Sequence, residues 1–288
     1  MQNKIVIGTA NFDYRYGLKK NKLSKFNKNK IINFCINNKL RYFDTAIDYK
    51  LKKINLKKFK VISKIKLPKR NTSYFIQNLE NIIQNELKKF NLKYFNSVLI
   101  HQYNDLLKKN GKMYLNALNL LKKKGLIKKI GISIYSEKEI VRTLKIFKPK
   151  IIQFPINIFN QNVLSKKMIN FLKKKKILIQ ARSIFLQGLL LQQSLNKLDV
   201  KFDKKIKLNF EKLKYFCNKN KISQLDLCVS FIKSKKFIDL ITLGIENENQ
   251  ISEFIKSSKK KIKVNYSKFD VKNKNLTDPR KWEKKIIL

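Results

Sequence analysis

Histidine is almost missing from this chain: His101 is the only one in 288 residues. Cysteine stands at three, proline at four, glycine at seven and tryptophan at one. Cys35, Cys217 and Cys228 lie far apart with no paired spacing, which excludes a disulfide framework and a zinc knuckle. Each sits among apolar residues, where a buried thiol is the default, and no metal is expected. Long hydrophobic runs are also missing. Nothing at the amino terminus resembles a signal peptide, and no stretch is long enough for a membrane helix. The expectation is a cytoplasmic protein with no membrane partner. The scarce glycines never form G-x-G-x-x-G after a strand, so the open dinucleotide-binding sheet has no fingerprint here.

Acidic residues are scarce too, 19 Asp+Glu against 67 Lys+Arg, for a formal net charge of +48. Such a balance can mark a nucleic-acid partner. Two features argue against that reading. The excess is almost all lysine, whereas base readout draws on arginine, and it is spread along the chain rather than gathered in one tail. Lys, Asn, Ile, Phe and Tyr are abundant together, as AT-rich codons would make them. No nucleic-acid partner is expected.

What is present is an alternation. Eight short apolar runs recur: Ile5–Ile7, Tyr42-Phe43, Val61-Ile62, Val98–Ile100, Ile130–Ile132, Ile151-Ile152, Ile177–Ile179 and Leu240-Ile241. They are brief and β-branched, as strands buried on both faces should be. Helical periodicity fills most of the gaps. Ile76, Leu79, Ile83, Leu87 and Phe90 share one face, and Lys112–Lys124 repeats the pattern before a capping Gly125. Helices are also expected over Glu137–Phe147, Val163–Lys174, Lys205–Asn218, Ser223–Lys233 and Asn247–Lys259. Eight strands alternating with helices, without the glycine fingerprint, predict a single-domain (β/α)₈ TIM barrel over 1–288. Its lysine-rich tail, 263–288, is expected to wrap the outside.

A barrel carries its chemistry at the carboxyl ends of its strands. The runs end in Asp44, Ser63-Lys64, His101, Ser133, Gln153, Arg182-Ser183 and Gly244. A lone histidine is usually incidental, but His101 is level with Asp44 and Lys64. A buried Asp44–Lys64 pair could merely hold the barrel together, although buried pairs are uncertain stabilisers. Tyr49 follows Asp44 by five residues. A tyrosine beside a lysine cation is expected to have its phenol lowered towards the working range and to hand a proton to a carbonyl oxygen.

These residues resemble the aldo-keto reductases. Asp44-Thr45-Ala46-Ile47-Asp48-Tyr49 is similar to that family's D-T-A-x-x-Y. Val61–Lys64 is similar to its lysine strand, and Ile100-His101 to its histidine strand. Gly125–Ser133 is similar to G-x-I-R-x-I-G-V-S, Ile151–Gln153 with Asn157 to V-V-Q-x-x-Y-N, and Gln187–Leu190 to a q-G-l-L turn. The resemblance runs in order from Gly8 to about Phe254. It implies a catalytic set of Asp44, Tyr49, Lys64 and His101 acting on a carbonyl or alcohol with a nicotinamide cofactor. Tyr49 would exchange the proton, Lys64 would lower its pKa, Asp44 would anchor Lys64, and His101 would polarise the carbonyl. Ser133 and Gln153 would hold the nicotinamide carboxamide. Gly8, Thr9, Arg182 and Ser183 would belong to the cofactor site, and Gly244, Gln250 and Glu253 to its adenosine end.

The departures are specific. Ile134 replaces a usual asparagine, Phe254 replaces another, and Arg182 stands where an aromatic ring often stacks on the nicotinamide. Arg182 could reach an anionic substrate instead. The loop Ile245–Gln250 has two glutamates and no cation, whereas the family's habit of NADP(H) calls for a partner to the 2′-phosphate. The resemblance favours NADP(H) over NAD(H). An alternative is a cofactor-binding regulatory protein on the same fold with little turnover. Asn11, Phe12, Tyr16 and Arg182 are expected to line the substrate pocket.

Overall fold

The computed structural model describes residues 1–14, 17–18, 23–66, 74–195, 198 and 200–284. Seven strands come first: β1 (Ile5–Gly8), β2 (Tyr42–Asp44), β3 (Lys60–Ile65), β4 (Ser97–Ile100), β5 (Ile130–Ser133), β6 (Ile151–Pro155) and β7 (Leu178–Arg182). A short β8 (Val200–Lys201) stands apart, and β9 (Leu240–Gly244) follows. Strands β1 to β7 and β9 are parallel and close into a barrel, sealed where Ile5–Gly8 pairs with Ile241–Gly244. The eight apolar runs are the eight barrel strands.

Two apolar layers result from the period-two alternation of each strand. Val6, Ile62, Leu99, Ile151 and Leu240 form a cluster of their own, with Tyr42 and Leu178 packed against it. This is the plug inside the barrel. Their neighbours Ile5, Ile7, Val61, Val98 and Ile100 belong to the larger core beneath the helices. Gly131 occupies β5 at the plug because nothing larger fits: a Cβ there would sit 2.3 Å from the Ile151 carbonyl and 2.6 Å from Leu99. That glycine of the G-x-I-R-x-I-G-V-S stretch is a packing residue.

The helices are α1 (Lys25–Asn37), α2 (Phe75–Phe90), α3 (Gly111–Lys123), α4 (Glu137–Ile146), α5 (Lys166–Lys174), α6 (Lys204–Lys219), α7 (Gln224–Ser234) and α8 (Glu248–Lys259). Polar side chains set their starts. Ser24, Ser136, Ser165, Ser223 and Asn247 each accept from the backbone N–H three residues on, satisfying a donor the helix leaves open. Ser165 explains why α5 begins at Lys166 rather than at Val163. Gly125 ends α3 as expected, with φ +77° and its N–H donating to Lys122 O at 3.1 Å. The periodicity missed α1, whose only buried residues are Ile31 and Cys35 amid Lys and Asn. It also misplaced Ile76, which is exposed while its neighbour Phe75 is buried.

The tail contacts the loops above the strands. Val271 N–H donates to Phe159 O, Arg280 lies on the Tyr135 ring, and Trp282 packs edge-on against Phe202. A last strand, β10 (Glu283–Lys284), pairs antiparallel with β8. These partners follow β5, β6 and β7, so the segment lies on the face where the strands end rather than simply around the outside.

Candidate active site

One step of two residues above the plug, each strand presents a different residue: Gly8, Asp44, Lys64, His101, Ser133, Gln153, Gln180 and Thr242. The layer is polar where the one below is apolar. Asp44 is its hub. The carboxylate accepts from Lys64 Nζ at 2.5 Å on Oδ1, and from Gln153 Nε2 at 2.7 Å and Gln180 Nε2 at 3.1 Å on Oδ2. Lys64 Nζ also donates to Thr45 O at 2.7 Å. Gln180 is held in turn by Thr242 Oγ1 at 2.8 Å. Asp44 and Lys64 are both nearly water-free, so the pair survives only because its remaining lone pairs and protons are satisfied.

Tyr49 sits on a single 3₁₀ turn, Ile47–Tyr49, directly after β2. Its ring centroid is 5.5 Å from Lys64 Nζ. The expected lowering of its phenol does not occur. Burial is the largest influence and raises it, the Asp44 carboxylate raises it further, and only Arg182 pulls it down appreciably. Asp44 also absorbs part of the lysine's field. Tyr49 therefore keeps its proton through the neutral range.

His101 follows β4, its N–H bound to Ile65 O at 2.9 Å. Its Nδ1 faces Asp48 Oδ2 at 3.4 Å, an oxygen that Lys66 Nζ holds at 2.7 Å. Burial first, then the Lys64 cation, hold the imidazole down to about 4, with Asp48 opposing. The ring is neutral at working pH. A sign follows for stability. An unfolded histidine takes a proton near 6.5, above the folded value, so the unfolded chain binds it first and stability falls as pH drops between them. His101→Gln is expected to remove an acid penalty on the order of 3 kcal/mol between about pH 7 and about pH 4. Urea unfolding of both proteins at both pH values checks this; the same loss in each would contradict it.

A cavity of about 590 Å³ opens over this layer, within the usual range for a ligand site. Asp44, Tyr49, Lys64 and Gln153 line it, as do Gly8, Arg182, Ser183, Gly244, Gln250 and Glu253. His101 stands beside it, sensed electrostatically by the same lysine and arginine. Thr9 and Ser133 are not among the residues that line it. Thr9 is fully buried, its N–H and hydroxyl both donating to Asp44 O at 2.9 and 3.1 Å, and it fastens β1 to β2. Ser133 is buried, in register with Gln153. Phe12 belongs to the core, edge-on to Phe43, whereas Asn11 does line the cavity. Tyr16 lies outside the described residues. Asn157 is structural: its Oδ1 accepts from the Phe159 and Asn160 amides, and its Nδ2 donates to Ser183 O.

The same cavity fits a nicotinamide dinucleotide. Gln153 Oε1 is buried without a hydrogen-bond partner, although its amide nitrogen is committed to Asp44. At Gly244 a Cβ would meet nothing within 4 Å, so backbone is open to the cavity there. Arg182 and Lys64 are the only described cations on the wall, while Glu246 and Glu253 supply carboxylates. Phe254 also contributes, edge-on to Phe185. No cluster of His, Cys, Asp and Glu among the described residues could hold a metal ion, and no described helix is long and apolar enough to cross a membrane. Sequence reasoning missed Gln180, whose signal was a lone amide inside an apolar strand. It also missed Tyr135 and the wall between α6 and α7, where Cys217 sits with its thiol pushed up to about 11 by burial.

Comparison with known proteins follows the geometry. The family model described as "Aldo/keto reductase family" matches residues 4–269. No curated protein sequence matches the chain. Among solved structures, the glycerol dehydrogenase AKR11B4 of Gluconobacter oxydans superposes with a TM-score of 0.63 at 15% identity, over 91% of this chain and 88% of that one. A Pseudomonas aeruginosa protein, PA4992, ascribed to the aldo-keto reductases superposes at 0.61 with 13% identity, over 88% and 89%. At these identities the likeness is one of fold.

Proposed function

The chain belongs to the aldo/keto reductase family, and from that premise we propose that it reduces an aldehyde, ketone or keto-sugar to an alcohol, with Tyr49 as proton donor. The observation carrying this reading is the Asp44–Lys64–Tyr49 arrangement on one cavity wall, with a neutral His101 beside it.

Reduction adds a hydride to the carbonyl carbon and a proton to its oxygen. A bound nicotinamide dinucleotide would supply the hydride chemistry. Tyr49 holds the proton: burial and Asp44 keep the phenol protonated, ready to donate to the oxygen as charge develops there. Arg182 opposes that rise and eases the departure of the proton. Lys64, fixed by Asp44 and the Thr45 carbonyl, keeps a positive charge near the phenolate that forms. Neutral His101 offers one N–H to the carbonyl oxygen. The raised phenol keeps its proton until the carbonyl is in place, which is the state that reduction requires.

The resemblance favours NADP(H), but the chain's own wall supports NAD(H). Glu246 and Glu253 line the cavity, and carboxylates beside a 2′-phosphate would repel it. The test is calorimetric titration with NADH and NADPH, followed by cofactor oxidation with aldehydes, ketones and keto-sugars. Binding of NADH tighter than NADPH, with turnover of at least one carbonyl, is expected. Tight binding with no turnover would move the reading to a regulatory protein. No binding of either nucleotide would end both.

A further inference from the structure

The cavity holds one cation that no carboxylate answers among the described residues. Arg182 ends β7, partly buried, on the same wall as Tyr49 and Lys64. The Lys64 cation is met by Asp44, and the Arg280 cation by Asp278 at 2.5 and 2.9 Å. Arg182 has no carboxylate within 4 Å among the described residues, in a chain with ample lysine but few acids. What it has is a platform. Its guanidinium carbon lies 4.4 Å from the centroid of the Tyr135 ring, which Arg280 also covers at 3.4 Å. Tyr135 is itself pinned, its N–H donating to Glu139 Oε2 at 2.7 Å at the start of α4.

Stacking fixes the plane of a guanidinium and leaves its edge of N–H donors free. A partly desolvated cation with unspent donors is unfavourable by itself and is relieved by a planar or tetrahedral oxyanion. Among the described residues none is supplied. Resting on the reductase reading, we propose that the carbonyl substrate carries a carboxylate or phosphate, and that Arg182 binds it beside Tyr49. The anion fixes the substrate's orientation, and neutral carbonyl compounds of the same size are poor substrates. Arg280 and Tyr135 act as positioning residues, through which the carboxyl-terminal segment sets the angle of Arg182.

The test compares matched pairs, succinate semialdehyde against butanal and glycolaldehyde phosphate against glycolaldehyde, in wild type, Arg182→Gln and Arg182→Lys. The readout is the ratio of kcat/KM for the charged over the neutral member, with dinucleotide affinity measured separately by calorimetry. A preference for one charged member is expected in wild type, and the pair that shows it distinguishes carboxylate from phosphate. That preference should fall roughly 10- to 100-fold in Arg182→Gln, the worth of a charge-assisted hydrogen bond, and recover in part in Arg182→Lys. An unchanged preference in Arg182→Gln overturns the proposal. If the loss lies in dinucleotide affinity alone, the guanidinium belongs to the cofactor's phosphates and the proposal is likewise overturned. Should no carbonyl turn over, the reductase reading fails by itself. Succinate and inorganic phosphate are then titrated into the dinucleotide-loaded protein: binding lost in Arg182→Gln supports the anion site, and no binding to wild type removes it.

Discussion

Replacing Tyr49 by Phe is expected to lower kcat for carbonyl reduction roughly a hundred- to ten-thousand-fold, the usual worth of a positioned general acid. The variant deletes one oxygen and leaves the ring. Tyr49 lies on the short turn after β2, half-buried, with its ring packed only partly against the core, so the fold and the cavity should persist. None of the proposed dinucleotide contacts involves the Tyr49 hydroxyl, so dinucleotide affinity is expected to stay within a few-fold. The two numbers separate chemistry from binding. A kcat within tenfold of wild type would show that another group, or water, delivers the proton.

The second large effect concerns the buried pair. Asp44→Asn exchanges a carboxylate for an amide against three donors, Lys64, Gln153 and Gln180. It removes the counter-charge that Asp44 gives a buried ammonium, which costs about 3–5 kcal/mol. For a chain of this size that corresponds to a melting temperature lower by roughly 6–15 °C. Activity should fall with it, because Lys64 loses its anchor beneath Tyr49. The double variant Asp44→Leu with Lys64→Met distinguishes charge from packing. With both charges gone, stability should return most of the way to wild type while activity stays absent, since hydrophobic replacement of a whole buried pair is often neutral or better. Denaturant unfolding of the three proteins reads both effects. Asp44→Asn within about 1 kcal/mol of wild type would mean that water or a rearranged side chain reaches Lys64.

Much of this was legible because the barrel repeats one rule eight times. An apolar run lies inside, and the inward residue two positions on reaches the mouth. Ile62 gives Lys64, Leu99 gives His101, and Ile151 gives Gln153. The polar layer can therefore be found by counting. What the counting could not separate is whether a polar residue at that level faces the cavity or the neighbouring backbone. Thr9 and Ser133 sit at the right height, yet Thr9 spends its hydrogen bonds on the Asp44 carbonyl and Ser133 is buried outside the cavity lining. The raised phenol of Tyr49 escaped for a related reason. Its pKa depends on burial and on how fully Asp44 cancels Lys64, and neither is a property of spacing. The wall between α6 and α7, and the Arg280–Tyr135–Arg182 contact, join segments far apart in the chain with no shared motif. Helix α1 was missed because its two buried residues, four apart, are outnumbered by lysine and asparagine on its wet faces.

The central claim is hydride transfer to a carbonyl carbon with protonation by Tyr49. Reduced dinucleotide deuterated at the transferring position of its nicotinamide, incubated with the protein and a carbonyl substrate it turns over, tests it most directly by mass and NMR analysis of the alcohol. The account predicts one deuterium on the new carbinol carbon with wild type, and almost no labelled alcohol with Tyr49→Phe. Alcohol without deuterium at that carbon, or labelled alcohol formed equally by the variant, would contradict it.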